Sequence, residues 1–223
     1  MSLLILGLIA GFLAFRGFEV FQKFGLGFIT NFSWDPGDPD NGIPAVLGIG
    51  SMLVGTIVTS LIALVIALPI SVGAALYLTY YAPNFVRKPM TLVVDLMAAI
   101  PSVVYGIWGF FVLMPHAVYW AKLIHKYLGW IPIFDLPVPV FERSPFIAGL
   151  VLAVMIIPII TAISREVFSQ VPLDRIQAAY ALGATRWSMI RAVVLPFGSS
   201  GVAGGAMLGL GRAMGETVAV YLV

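Results

Sequence analysis

Two charged residues, Arg212 and Glu216, stand four positions apart in an otherwise apolar, glycine-rich stretch near the end of the chain. In one continuous helix both side chains lie on the same face. Charges inside a bilayer are costly unless they are placed against each other or against water. One interpretation is that Arg212 offers its planar set of donors to a phosphate oxygen while Glu216 competes for the guanidinium and keeps binding weak. The other is a structural pair that holds helix packing.

A second group of candidates surrounds Pro101, which cannot donate a backbone hydrogen bond and leaves a carbonyl free. Ser102 and Tyr105 supply hydroxyl groups beside it. These hydroxyls line a path through the membrane, or the stretch is an ordinary proline kink that Ser102 satisfies. Asp95, earlier in the same apolar run, is interpreted as a structural acid that water or Arg87 satisfies.

Composition defines the class of protein in which these residues act. The 223 residues are 61% hydrophobic and 10% charged, with a mean hydropathy of +1.04, which indicates an integral membrane protein. The chain has no Gly-x-x-x-x-Gly-Lys-Ser/Thr loop, so we expect no nucleotide site, no catalytic residues and no cofactor in it. With no cysteine and only two histidines we also expect no metal site. A net charge of +2 with scattered basic residues argues against nucleic-acid binding.

Each spanning helix needs about 20 apolar residues, and the hydrophobic pattern predicts an all-α polytopic bundle of about five spans. Residues 1–45 are expected to hold a short, clipped first span and an outer loop, and residues 46–223 the transmembrane domain. The first span could also be the core of a signal peptide, and a sixth span is expected to be missing after the chain's apolar end. The predicted spans are Leu3–Phe15, a single helix over Ala45–Tyr81 bent at Pro69 rather than a hairpin, Met90–Leu113, Phe146–Ser164 and Val193–Val223.

Loop residues give the expected orientation. Arg87 and Lys88 follow the second span closely, and a later basic segment around Arg175 is short, which places both in the cytoplasm. The long loop before Phe146, which contains Pro132, is expected outside. Within it a helix from Ala117 to Tyr127 is predicted to lie in the membrane interface.

The segment 172–186 is predicted to form a short amphipathic helix between two spans. Ile176, Ala179, Tyr180, Gly183 and Trp187 recur at helical spacing on one face. Asp174 is expected to cap its N-terminus and Gly183 to end it in the left-handed conformation. Such a helix is either a connector on the membrane surface or a peg that docks into a partner and transmits its motion.

The run Gln177-Ala-Ala-Tyr-Ala-Leu-Gly183, followed by Val193-Val-Leu-Pro196, resembles the cytoplasmic "EAA" loop of ABC-importer permeases. In that family the loop holds the coupling helix that seats in a groove of the ATPase subunit. Gln177 stands where the family usually has Glu, and Val193 where it usually has Ile. The resemblance implies a type I importer permease fold and assigns ATPase coupling to Gln177, Ala178, Ala179, Tyr180, Gly183 and Arg186.

Three further stretches resemble the phosphate-specific permeases, and their PstC-type subunit in particular: Ala99-Ile-Pro-Ser-Val-Val-Tyr-Gly106, Ile163-Ser-Arg-Glu-Val-Phe168 and Gly209-Leu-Gly-Arg-Ala-Met-Gly-Glu-Thr217. With the residue chemistry above, this gives a candidate substrate path of Arg212, Glu216, Thr217, Ser102 and Tyr105.

This resemblance implies half of a phosphate importer in the bacterial cytoplasmic membrane. The implied partners are a PstA-type second permease subunit, two ATPase subunits that bind ATP and Mg²⁺, an external phosphate-binding protein and the lipid bilayer. The alternatives are a permease for molybdate or sulfate, a stand-alone ion-coupled transporter and a membrane-assembly subunit.

Overall fold

The computed structural model describes residues 2–38, 44–130, 141 and 144–222. Within these ranges five helices are long and apolar enough to cross a membrane: Leu3–Phe24, Gly50–Tyr81, Ser102–Leu128, Pro145–Ser169 and Arg186–Met214. The predicted all-α polytopic class and the number of spans are therefore confirmed, although several span boundaries differ from the predicted ones. Pro132 and its neighbours in the predicted outer loop lie outside the described residues. The chain divides into two compact units, Met1–Ile57 and Val58–Val223.

The first unit contains α1 (Ser2–Phe24), a short α2 (Gly27–Thr30), and strands β1 (Trp34–Asp35) and β2 (Val46–Leu47), which pair antiparallel. Helix α1 has 23 residues. The predicted end of the first span at Phe15 is therefore wrong, because the helix continues through Arg16 and Glu19 as an amphiphilic extension.

Helix α3 runs from Gly50 to Leu76 and continues as a π-helical turn, Tyr77–Tyr81. This confirms a single long helix over this apolar run, with Pro69 inside it, and excludes the hairpin. The segment that follows departs from prediction. Helix α4 (Asn84–Ala99) has Ile100 as its C-cap residue, and α5 begins at Ser102 with Pro101 as its N-cap residue.

The predicted third span Met90–Leu113 is therefore wrong. Helix α5 (Ser102–Trp108), a π-helical turn (Gly109–Leu113) and α6 (Met114–Leu128) follow one another without a break and form the candidate span. The helix predicted for Ala117–Tyr127 exists, but it is the end of this span rather than a separate interfacial element. Proline caused both errors, because Pro101 ends one helix and starts the next instead of bending a continuous one.

Helix α7 (Pro145–Ser169) is the most buried element and contacts α4, α5 and α10. Its N-cap, Ser144, accepts a hydrogen bond from the Ile147 amide. Helix α8 (Leu173–Ala181), α9 (Arg186–Met189) and a π-helical turn (Ile190–Val194) lead into α10 (Leu195–Met214). The predicted fifth span thus starts earlier, at Arg186, and ends at Met214, and α11 (Val218–Leu222) is a separate helix.

Glycines set the contact between α7 and α10. A Cβ on Gly205 would lie 3.1 Å from Ile163 Cγ2, and one on Gly209 would lie 2.9 Å from Ile160 Cδ1. Small residues spaced by one helical turn let two helices approach this closely. Gly205 and Gly209 therefore pack within the chain, against α7.

The core of the second unit consists of two apolar clusters. The outer cluster, named like the inner one after the orientation predicted from the sequence, joins the middle of α3 to residues 151–160 of α7 and to Tyr105 and Ala213. The inner cluster joins the end of α3 to Phe168 and Val171 and to the start of the last span at Met189. Between the two clusters the fully buried side chains on α3 and α7 are polar: Ser71, Thr161 and Ser164.

Candidate coupling and translocation sites

Helix α8 is exposed on one side and packed on the other. Ile176 and Ala179 pack against the inner cluster, whereas Gln177, Ala178 and Tyr180 are exposed. Tyr180 is 44% exposed, so the single apolar face predicted for this segment is only partly buried. Trp187, also placed on that face by prediction, is exposed and belongs to α9.

The two ends of α8 differ in how well they were predicted. Its N-cap residue is Pro172 rather than Asp174, which lies in the first turn, where its charge favours the positive end of the helix dipole. At the other end Gly183 has φ +81°, as predicted. Its amide donates to the Tyr180 carbonyl at 2.9 Å, and the Ala184 amide donates to the Ala179 carbonyl at 3.1 Å, which is a Schellman C-cap.

A set of hydrogen bonds connects the region beside α8 to two spans. Arg186 donates to the Tyr80 carbonyl at 3.4 Å, and its guanidinium lies 5.4 Å from the centre of the Tyr81 ring. The Tyr80 hydroxyl in turn donates to the Phe168 carbonyl on α7 at 2.8 Å. The segment that carries α8 is therefore fastened to the ends of both α3 and α7.

The geometry predicted for Arg212 and Glu216 is wrong. Helix α10 ends at Met214 with Gly215 as its C-cap residue, so the i, i+4 relation does not hold across the break. Glu216 instead accepts hydrogen bonds from the Val218 and Ala219 amides, at 3.2 and 3.1 Å, and caps α11. Among the described residues Glu216 and Arg212 form no ion pair, and the buried Arg212 Nε has no hydrogen-bond partner.

Two other predicted path residues, Ser102 and Tyr105, lie just after the helix break at Pro101. Tyr105 is 6% exposed and donates its hydroxyl to the Met97 carbonyl at 2.7 Å, so Tyr105 rather than Ser102 satisfies an end of α4. Ser102 is half-buried in the first turn of α5, and Thr217 is exposed in the turn between α10 and α11.

Sequence reasoning missed an acid–base pair between different helices. Arg165 Nη2 on α7 lies 3.4 Å from Asp95 Oδ1 on α4, so Arg165 and not Arg87 is the partner of this acid. Arg87 donates instead to the Thr79 carbonyl at 3.0 Å. The signal was present in the charges, but the two partners are 70 positions apart in the sequence and no local spacing connects them.

Within the described residues, five helices are long and apolar enough to cross a membrane, and the short exposed helix α8 lies between the last two, so the fold is that of a polytopic membrane protein. Residues 67–223 match the family described as "binding-protein-dependent transport system inner membrane component", and the chain belongs to this family. That membership contradicts a stand-alone ion-coupled transporter or an assembly subunit.

Individual relatives narrow the comparison. The chain is 44% identical over 218 residues to the "phosphate transport system permease protein PstC 2" of Mycobacterium tuberculosis, covering 97% of this chain and 66% of that protein. It is 42% identical over 226 residues to the "phosphate transport system permease protein PstC" of Pasteurella multocida, covering 99% and 68%. The Mycobacterium leprae protein of the same name is 47% identical over 178 residues, covering 79% and 56%. The chain thus spans about two thirds of the length of such relatives.

Proposed function

We propose that this chain is the transmembrane subunit of an ATP-driven phosphate importer in a bacterial cytoplasmic membrane. It forms half of the translocation path beside a PstA-type permease subunit. Two ATPase subunits bind ATP and Mg²⁺, and an external binding protein delivers phosphate. The family description supports a binding protein as a partner, and the names of the relatives support phosphate as the cargo.

The observation that carries the proposal is the position of α8. Its exposed side presents Gln177 and Ala178, and its other side rests on the inner cluster, which includes Leu76 of α3 and Phe168 of α7. A partner that pushes on α8 therefore pushes on two spans through close-packed side chains, which resist compression. In this way closure of the ATPases alters the access of the path.

On this proposal Arg212 contacts the oxyanion with donors that the chain leaves unpaired, and Ser102, Tyr105 and Thr217 are neighbouring path candidates. Glu216 no longer needs to compete with the anion for Arg212, because it caps α11. Its role in the path is therefore to hold α11 in place rather than to weaken anion binding.

Two neighbouring alanines provide the test. In Ala178→Asp the new charge lies on the exposed side, so we expect the permease to fold normally and to lose co-purification with its ATPase. In Ala179→Asp the charge enters the inner cluster, so we expect the permease itself to become unstable. Ala178→Ser is the control of similar size. Normal ATPase association by Ala178→Asp, or uptake of phosphate into proteoliposomes without ATP, refutes the proposal. Uptake of molybdate or sulfate in place of phosphate refutes only the cargo.

A further inference from the structure

A polar layer separates the two apolar clusters of the second unit. Ser71 and Ser164 are 0% exposed and Thr161 is 1% exposed. Ser71 donates to the Ile157 carbonyl at 3.1 Å. The hydroxyls of Thr161 and Ser164, and Nη1 of Arg165, are buried and have no hydrogen-bond partner among the described residues.

These three groups lie on one side of α7. Ser164 and Arg165 follow Thr161 by three and four positions, the spacing that makes side chains neighbours on a helix. A buried hydroxyl without a partner costs free energy, and an unpaired guanidinium hydrogen costs more. Three such costs on one turn of the most buried helix indicate a partner that lies outside the described residues.

We propose that Thr161, Ser164 and Nη1 of Arg165 form an oxyanion-binding position on α7, separate from Arg212. Arg165 only donates hydrogen bonds, and both hydroxyls are able to donate. A tetrahedral oxyanion accepts from all three, whereas one water molecule accepts about two hydrogen bonds, and the positive charge of Arg165 repels a cation. This position rests on the proposed function in one respect, that the cargo is an anion.

The ion pair with Asp95 fits a position that binds weakly and releases. Its 3.4 Å separation is longer than the 2.7–2.9 Å or so of a strong charge-assisted hydrogen bond, and the Asp95 side chain is 48% exposed. In the state described here the polar atoms are closed to solvent, so an anion reaches them when α4 moves away from α7. Asp95 then re-forms the pair and displaces the anion.

The position lies at a different depth from Arg212. Gly209, one turn before Arg212, packs on Ile156 and Ile160 of α7. At about 1.5 Å per residue this puts Arg165 roughly 15 Å nearer the end of α7 that leads into α8. The chain thus offers two successive anion contacts along the path.

The test uses the complete transporter in proteoliposomes and the absence of cysteine from this chain. We expect Ser164→Cys to react with a negatively charged methanethiosulfonate reagent during ATP turnover, and phosphate, sulfate or molybdate to slow the reaction at least about ten-fold. Ala153→Cys, on the same helix and 1% exposed in the outer cluster, is the control and should stay unreactive. An unreactive Ser164→Cys, or reaction without protection by any of the three anions, overturns the proposal.

A second pair of variants separates binding from packing. Thr161→Val and Ser164→Ala remove unpaired hydroxyls, so we expect unchanged or higher thermal stability together with about ten-fold slower uptake at saturating binding protein, the effect of losing one hydrogen bond to a charged group. Lower thermal stability of the variants would mean that the hydroxyls have a structural partner such as water. Uptake at the wild-type rate would mean that the hydroxyls do not contact the transported anion. Either result overturns the proposal. If the wild type imports no phosphate but sulfate or molybdate protects Ser164→Cys, the proposed cargo fails and this site stands. If the wild type imports phosphate but no anion protects Ser164→Cys, the proposed cargo stands and this site fails.

Discussion

A substitution of Gly201 by alanine tests the packing of α10 on α7 most directly. A Cβ at this position would overlap both γ-methyl groups of Val167, with Cγ1 only 2.7 Å away. Valine is stiff about χ1 in a helix, so these methyl groups cannot rotate out of the way cheaply. Helices α7 and α10 must instead separate locally, which weakens the packing between them.

The neighbouring Gly204 supplies the matched control. A Cβ there meets nothing within 4 Å. Replacing glycine by alanine within a helix favours folding by up to about 1 kcal/mol, and overpacking a close contact costs about 1–3 kcal/mol. We therefore expect Gly204→Ala to be neutral or slightly stabilising, and Gly201→Ala to have a free energy of unfolding about 1–3 kcal/mol below that of Gly204→Ala, because both variants share the helix-propensity gain.

Unfolding of the purified permease by SDS in mixed micelles measures both free energies. Gly201→Ala combined with Val167→Ala should regain much of the lost stability, since the second substitution removes the methyl groups that clash. Equal stability of Gly201→Ala and Gly204→Ala would show that α10 does not pack on α7 through this glycine. A double variant no more stable than Gly201→Ala would show that Val167 is not the obstacle.

Substitutions of Glu216, Gly183 and Phe168 probe the two candidate sites, with Ile147→Val as a control. Glu216→Ala should lower the free energy of unfolding by about 0.5–2 kcal/mol, because it removes the cap of α11. Glu216→Gln should keep most of that stability and should also keep phosphate uptake. If Glu216→Gln lost uptake at full stability, the carboxylate charge would belong to the path. Gly183→Ala should cost about 1 kcal/mol or more in the same unfolding assay because its φ is +81°, and an unchanged stability would contradict the left-handed cap. Phe168→Leu in the inner cluster should lower phosphate uptake per ATP hydrolysed, while Ile147→Val, equally buried at 0% but at the other end of α7, should not; an equal effect of the two would argue against transmission through the inner cluster.

The features predicted correctly from the sequence depend on local chemistry. The long α3 follows from an uninterrupted apolar run, and the end of α8 follows from Gly183, the residue that adopts positive φ at the lowest cost. Ile176 and Ala179 also lie on the packed side of α8 that the pattern predicted. Each of these signals is complete within a few turns of helix.

The errors arose where a local rule was applied across a break in the helix. Pro101 was interpreted as a kink and is a helix boundary. Glu216 was paired with Arg212 by i, i+4 spacing, but Gly215 ends the helix between them. The pair that does form, between Asp95 and Arg165, depends on α4 packing against α7, and such a tertiary contact leaves no periodic trace in one sequence.

The arginines of this chain show two different ways of using a guanidinium. Arg87 and Arg186 donate to the Thr79 and Tyr80 carbonyls, which is how this protein satisfies an arginine that fastens one segment to another. Arg165 and Arg212 each keep a buried nitrogen without a partner among the described residues. A purely structural arginine gains nothing from a buried unpaired donor, since that donor destabilises the fold. An anion in the path would supply the missing acceptor, and this contrast within one chain is the physical reason for proposing that the two arginines contact the anion.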